Sequence, residues 1–97
     1  MKYVMSDKSP SQTFRIVGSG AMYDFMLRSF RGSVYATIIA NDQKIVSGKK
    51  IVSDVDLLPS WYSKTVGGNF KFIDIDNDIV TTDRFDGISC ALYFEEG

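Results

Sequence analysis

AMYDFMLRSF, residues 21–30, decides the class of this chain. Tyr23, Phe25 and Leu27 share one parity, and Met22, Asp24, Met26 and Arg28 share the other. Side chains of a strand alternate faces, so a period of two puts the aromatic and aliphatic row against a core and the mixed row toward water. Upstream, residues 12–17 alternate in the same way with Phe14 and Ile16 on one face, and Gly18-Ser19-Gly20 reads as the turn between the two strands. Downstream, Arg31-Gly32 interrupts the pattern and residues 33–40 resume it, with Val34, Ala36 and Ile38 against Tyr35, Thr37 and Ile39. Both of those faces are fairly apolar, as expected of a central strand. Asn41-Asp42-Gln43 is the next turn, so residues 12–40 read as a three-stranded meander.

Two β-branched runs follow, Ile45-Val46-Ser47 and Ile51-Val52-Ser53, on either side of Gly48-Lys49-Lys50. The Gly-Lys pair resembles the end of a phosphate-binding loop, G-x-x-x-x-G-K-[ST]. Gln43 stands where the first glycine belongs, and Lys50 lacks the hydroxyl that holds Mg²⁺. The residues after it read extended, whereas a phosphate loop opens a helix. The plainer reading is two short strands joined through a glycine turn or bulge.

Beyond this point Asp54-Val55-Asp56-Leu57-Leu58 runs into Pro59, which stops regular structure. Ser60-Trp61-Tyr62-Ser63 is a helical turn or an irregular crossover, and Gly67-Gly68 is a turn. Residues 69–75 alternate, Asp76-Asn77-Asp78 is a polar link, residues 79–82 begin a short strand, and residues 88–94 form the last one. Residues 1–11, polar and containing Pro10, read as a flexible N-terminal arm, and residues 12–97 as a single β domain. No stretch sustains a helical period over about 11 residues. The expected fold is all-β: a single small antiparallel β-barrel or a two-sheet sandwich with short strands.

Composition narrows the function. Apolar residues make up 44% of the 97, which excludes a disordered chain. No apolar run approaches the roughly 20 residues of a transmembrane helix, and the first residues lack the apolar core of a secretory signal. Histidine is absent, which removes the commonest general base and the usual zinc ligand. The sole cysteine, Cys90, lies among apolar residues and reads as a core side chain, not a nucleophile. The net charge of −1 conceals an asymmetry. Residues 1–50 carry eight Lys/Arg against three Asp, and residues 51–97 carry three against nine Asp/Glu. If folding keeps these halves apart, the surface is bipolar and suits contacts between unlike faces.

Four clusters were weighed for chemistry. Asp74, Asp76 and Asp78 occupy the first, third and fifth positions of a calcium-loop spacing, but Ile79 and Phe85 stand where its glycine and bidentate glutamate belong. A looser site drawing on Asp83 or Asp86 is weighed against a turn in which Asp and Asn bond their own backbone. Gly18-Ser19-Gly20 lacks the third glycine and the helix of a dinucleotide fingerprint. Arg15, Arg28 and Arg31 lie near Tyr23, Phe25 and Phe30, an interleaving that can bind single-stranded nucleic acid on a sheet. Trp61 and Tyr62 either seal one end of the core or anchor a partner, and they are the candidate partner-contact residues.

The order of features carries a resemblance. Gln12-Thr13-Phe14, then Tyr23 to Arg28, Tyr35 to Ala40, the run from Asn41 through Gly48 to Val52, Asp54 to Leu58, Gly67-Gly68-Asn69-Phe70, Asp83-Arg84-Phe85-Asp86 and Ala91-Leu92-Tyr93-Phe94 follow one another as in the baseplate plug proteins of contractile-tailed phages, the cyanophage-type plug. The resemblance spans residues 12–94 and rests on core and turn residues, with no catalytic signature. The chain differs in Tyr35, where many members carry Trp, and in an inserted Trp61-Tyr62. The resemblance implies a structural virion component of the tail baseplate or hub, made in the host cytoplasm, with no enzyme site and no cofactor. It implies contacts with phage baseplate hub and tail-tube proteins, with self-association as a further expectation. Leu57 and Leu58 would anchor the crossover, and Gly48 would join two strands. The alternative is a small β-barrel module that binds nucleic acid.

Overall fold

In a computed structural model, residues 2–18 and 21–96 are described. The meander forms as its alternation requires. β2 (Ser11–Gly18), β3 (Ala21–Phe30), β4 (Ser33–Ala40) and β5 (Gln43–Lys50) make one antiparallel sheet in that order. A short strand before them, β1 (Lys2–Val4), pairs instead with β7 (Cys90–Glu96), which pairs with β6 (Gly68–Asp74) to make a second antiparallel sheet. The sheets pack face to face as a sandwich and do not close into a barrel.

Short hairpins hold the first sheet in register. Arg31 and Gly32 both have positive φ, as do Asn41 and Asp42, which is the twist that two-residue hairpins demand. The link at Ser19-Gly20, expected as a turn, lies outside the described residues. Gly48 does not join two strands as expected. β5 is continuous through it, and Gly48, at φ 60, forms a bulge where the β4–β5 register shifts. The Gly48 N–H donates to Thr37 Oγ1 at 3.2 Å. The chain turns later, where the Ile51 N–H still reaches Val34 O at 2.8 Å and Val52 makes only an isolated bridge to Ile79. The strand expected over residues 79–82 is reduced to that bridge and is followed by a 3₁₀ turn, Thr82–Arg84.

Within the expected N-terminal arm, Lys2–Val4 form β1. Lys2, Tyr3 and Val4 face Tyr93, Leu92 and Ala91, Met5 is buried, and the Gly87 N–H donates to Met5 O. Tyr3 and Met5 supply apolar side chains on the inward parity, which the sparse apolar content of the stretch concealed.

Phe70 is the centre of the core. Its ring lies 4.8 Å from Tyr23, 5.1 Å from Phe25 and 4.8 Å from Phe94, each edge to face. Tyr23, Phe25 and Leu27 are buried on the inward side of β3, and Met22 and Met26 stand outside, as the alternation predicts. Leu57 and Leu58 are both buried although adjacent. The Leu57 N–H donates to Phe70 O, after which the Asn69 side chain takes over as pairing partner: its Oδ1 accepts from the Leu58 N–H at 2.7 Å, and its Nδ2 donates to Leu58 O at 3.0 Å. Strand geometry ends at that clamp, so both leucines can turn inward before Pro59.

Candidate partner-contact surfaces

Pro59 opens a short helix, α1 (Ser60–Val66), and Gly67, at φ 77, closes it by donating its N–H to Ser63 O. Successive residues on a helix point about 100° apart, so Trp61 and Tyr62 cannot share a face. Tyr62 packs into the core at 9% exposure, whereas Trp61 stays 57% exposed with its ring edge-on to Tyr62 at 5.5 Å. The expected contact pair is therefore divided between a core side chain and a surface side chain.

Beside α1, Lys71 is the centre of a charged cluster on the outward side of β6. Its ammonium lies 3.3 Å from Asp54, 3.3 Å from Glu95 and 4.0 Å from Asp56. Hydrogen bonding to Asp54, and then to Glu95, raises the Lys71 pKa, so the amine stays charged. A charged amine enclosed by carboxylates is a surface ion network, not a proton acceptor.

Two aspartates of the calcium-like spacing, Asp74 and Asp76, are engaged within the protein itself. The Asp74 side chain is fully buried and faces Arg84, with Nε 3.0 Å from Oδ2 and Nη2 3.2 Å from Oδ1. Its Oδ1 also accepts from the Asp76 and Asn77 N–H groups. Hydrogen bonding to Arg84 holds the Asp74 carboxyl below the usual carboxylate range, against the opposing effect of burial. Arg84 bonds Asp76 as well, at 3.1 Å, so a guanidinium occupies the place that a metal ion would need. Asp86 accepts from the N–H groups of Ile88 and Ser89 and from Ser89 Oγ, which pushes its pKa down to about 2. Among the described residues no cluster of metal-ligating side chains forms. Arg84 was not singled out from the sequence, because nothing local couples it to Asp74 until the 3₁₀ turn brings the two together.

Cys90 is buried, and burial pushes its thiol up to about 12, so it stays protonated at neutral pH. The single-strand platform also comes apart. Tyr23 and Phe25 point into the core, and Arg15 is paired with Asp24 at 2.7 Å. Arg31 lies over the ring of Phe30, 5.1 Å from its centroid, at the β3–β4 hairpin.

The outward side of the four-stranded sheet is a further surface. Met22, 39% exposed, and Met26, 44% exposed, stand on it with half-buried Tyr35 and Ile39. The signal was present in residues 21–30: two methionines occupy the polar parity of an otherwise clean alternation.

The charge asymmetry of the two sequence halves survives folding. Residues 11–50, the first sheet, hold six Lys/Arg against two Asp; the remaining residues hold five against ten carboxylates. The halves become layers because the first sheet is a contiguous meander, with only β1 crossing to the other side.

A family model described as "Cyanophage baseplate Pam3 plug gp18" matches residues 1–97, the whole chain. No curated protein matches it.

Proposed function

The chain belongs to the cyanophage baseplate plug family and is a structural protein of the phage tail baseplate, and from that premise we propose that it works there through contacts with hub and tail-tube proteins, after synthesis in the host cytoplasm. The match over the full chain is the observation that carries this reading. The two layers support it, because they present outward faces of unlike charge that suit two different neighbours. Trp61 supplies a third contact: a large exposed aromatic on a short helix anchored from below by Tyr62. No helix is long and apolar enough to cross a membrane.

Self-association is constrained by the same layering. The unlike charges lie in different layers, so docking one copy on the next is a head-to-tail contact, which ends in a ring only if the rotation between copies closes. Contacts with other baseplate proteins take first place on the family match. Mass spectrometry of purified virions, with cryo-electron microscopy of the tail, tests the reading. The chain should be present in complete particles with its density between hub and tube; its absence from them would overturn the proposal. Sedimentation of the free protein at low and high salt tests self-association, and unchanged monomers in both would remove it.

A further inference from the structure

The strand register arranges the outward side of the four-stranded sheet in rows. Arg28 lies between Ser11 and Tyr35, and Tyr35 faces Lys50 on β5. Met26 lies between Thr13 and Thr37 in the next row. Asp24 lies between Arg15 and Ile39, and Ile39 faces Lys44. Arg15 is engaged by Asp24 at 2.7 Å. Among the described residues, the side chains of Arg28, Lys44 and Lys50 make no hydrogen bond or ion pair within the chain. The face thus carries exposed methionines on either side of the Arg15–Asp24 pair, and these three cations are left without carboxylates.

We propose that this face docks on an acidic protein surface of a neighbouring baseplate subunit, with Met22, Met26 and Ile39 against its apolar centre and Arg28, Lys44 and Lys50 against its carboxylates. The inference rests on the baseplate reading above. Methionine fills irregular contact surfaces well. Unpaired cations at the margin steer docking and fix its orientation more than they add affinity. The extents of the molecule, 32 × 22 × 19 Å, give one broad face a projected area of about 700 Å², comparable to the roughly 800 Å² per partner of a standard interface.

Two other occupants fit less well. A second copy would have to offer its acid-rich side, but Asp54, Asp56 and Glu95 there already surround Lys71. A single-stranded nucleic acid would find Tyr35 and, beside the β3–β4 hairpin, Phe30 as stacking rings, while Tyr23 and Phe25 are buried.

The test compares intact purified tails with the free protein. A carbodiimide, which joins amines directly to carboxylates in contact, should link Lys44 or Lys50 to an Asp- or Glu-containing peptide of a different tail protein. Hydroxyl-radical oxidation of Met22 and Met26 should be lost in tails relative to the free chain. Cross-links of these lysines only to peptides of this same chain would overturn the proposal in favour of a second copy. Methionines oxidised equally in both preparations would overturn it outright. Lys44→Glu with Lys50→Glu, in a protein whose melting is unchanged, should abolish incorporation into tails, and normal incorporation would also count against the face. Absence of the chain from tails would overturn the baseplate reading together with this one, whereas presence with an unprotected face defeats this one alone.

Discussion

Tyr23 illustrates how much one atom can oppose a fold. Its ring is fully buried against Phe70, yet its hydroxyl has no hydrogen-bond partner among the described residues, and burial pushes its pKa up to about 12. A buried unsatisfied hydroxyl costs about 1–3 kcal/mol. Tyr23→Phe should therefore leave stability unchanged or raise it in urea denaturation, and a loss of more than about 1 kcal/mol would show that the hydroxyl has a partner in solution. Trp61 and Tyr62 separate at the same scale. Trp61→Ala should change stability by no more than about 0.5 kcal/mol, as an exposed substitution does, while Tyr62→Ala should cost about 3 kcal/mol. Thermal melts of the two variants check this, and similar losses in both would refute the division into surface and core.

At the scale of elements, the crossover into α1 depends on Asn69 and on the glycine before it. Asn69 replaces a strand partner for Leu58 and also accepts from the Phe70 N–H at 2.9 Å. Asn69→Ala should cost about 1–3 kcal/mol through the backbone groups it leaves unpaired. Leu57→Ala and Leu58→Ala should each cost ~2–5 kcal/mol, because both side chains are buried; neither losing more than about 1 kcal/mol would contradict their packing. At Gly68 a Cβ would stand 2.6 Å from the backbone oxygen of Glu95 and 2.6 Å from the Phe94 ring. Gly68→Ala must push the β6–β7 pair apart there, with an expected loss of about 1–3 kcal/mol in chemical denaturation.

For the whole molecule, acid stability follows from the carboxylates that the fold has engaged. Asp86, at about 2, and Asp74, lowered by Arg84, both sit below the unfolded value of roughly 3.9. A depressed folded pKa adds stability that is complete above the unfolded value and disappears as pH falls through the folded one. For Asp86 that window lies between about pH 4 and pH 2. The melting temperature should fall steeply there, and Asp86→Ala should melt lower at neutral pH with a shallower acid slope. Equal acid slopes in the two proteins would dismiss Asp86 as a contributor. The layered charge belongs to this scale too: it exists only because a contiguous meander forms one sheet, so that residues 11–50, with six Lys/Arg against two Asp, and the rest of the chain, with five against ten carboxylates, fall in different layers.

The all-β class and the inward row of Tyr23, Phe25 and Leu27 were legible in residues 21–30, because side-chain parity on a strand is a local property. Leu57 and Leu58 as anchors of the crossover came from the family resemblance, since parity alone turns only one of two adjacent residues inward. Sandwich against barrel was not, since the choice depends on β1 crossing to β7, a pairing of residues some ninety positions apart that no local pattern encodes. Helix α1 was too short for its period to register, and Gly48 permits a turn and a bulge equally until β4 supplies a partner. The ion pair of Arg84 with Asp74 required the folded chain as well. Local alternation determines which side of a strand is apolar; only tertiary pairing decides whether a polar side chain on the other side meets a partner within the chain or is left for another protein.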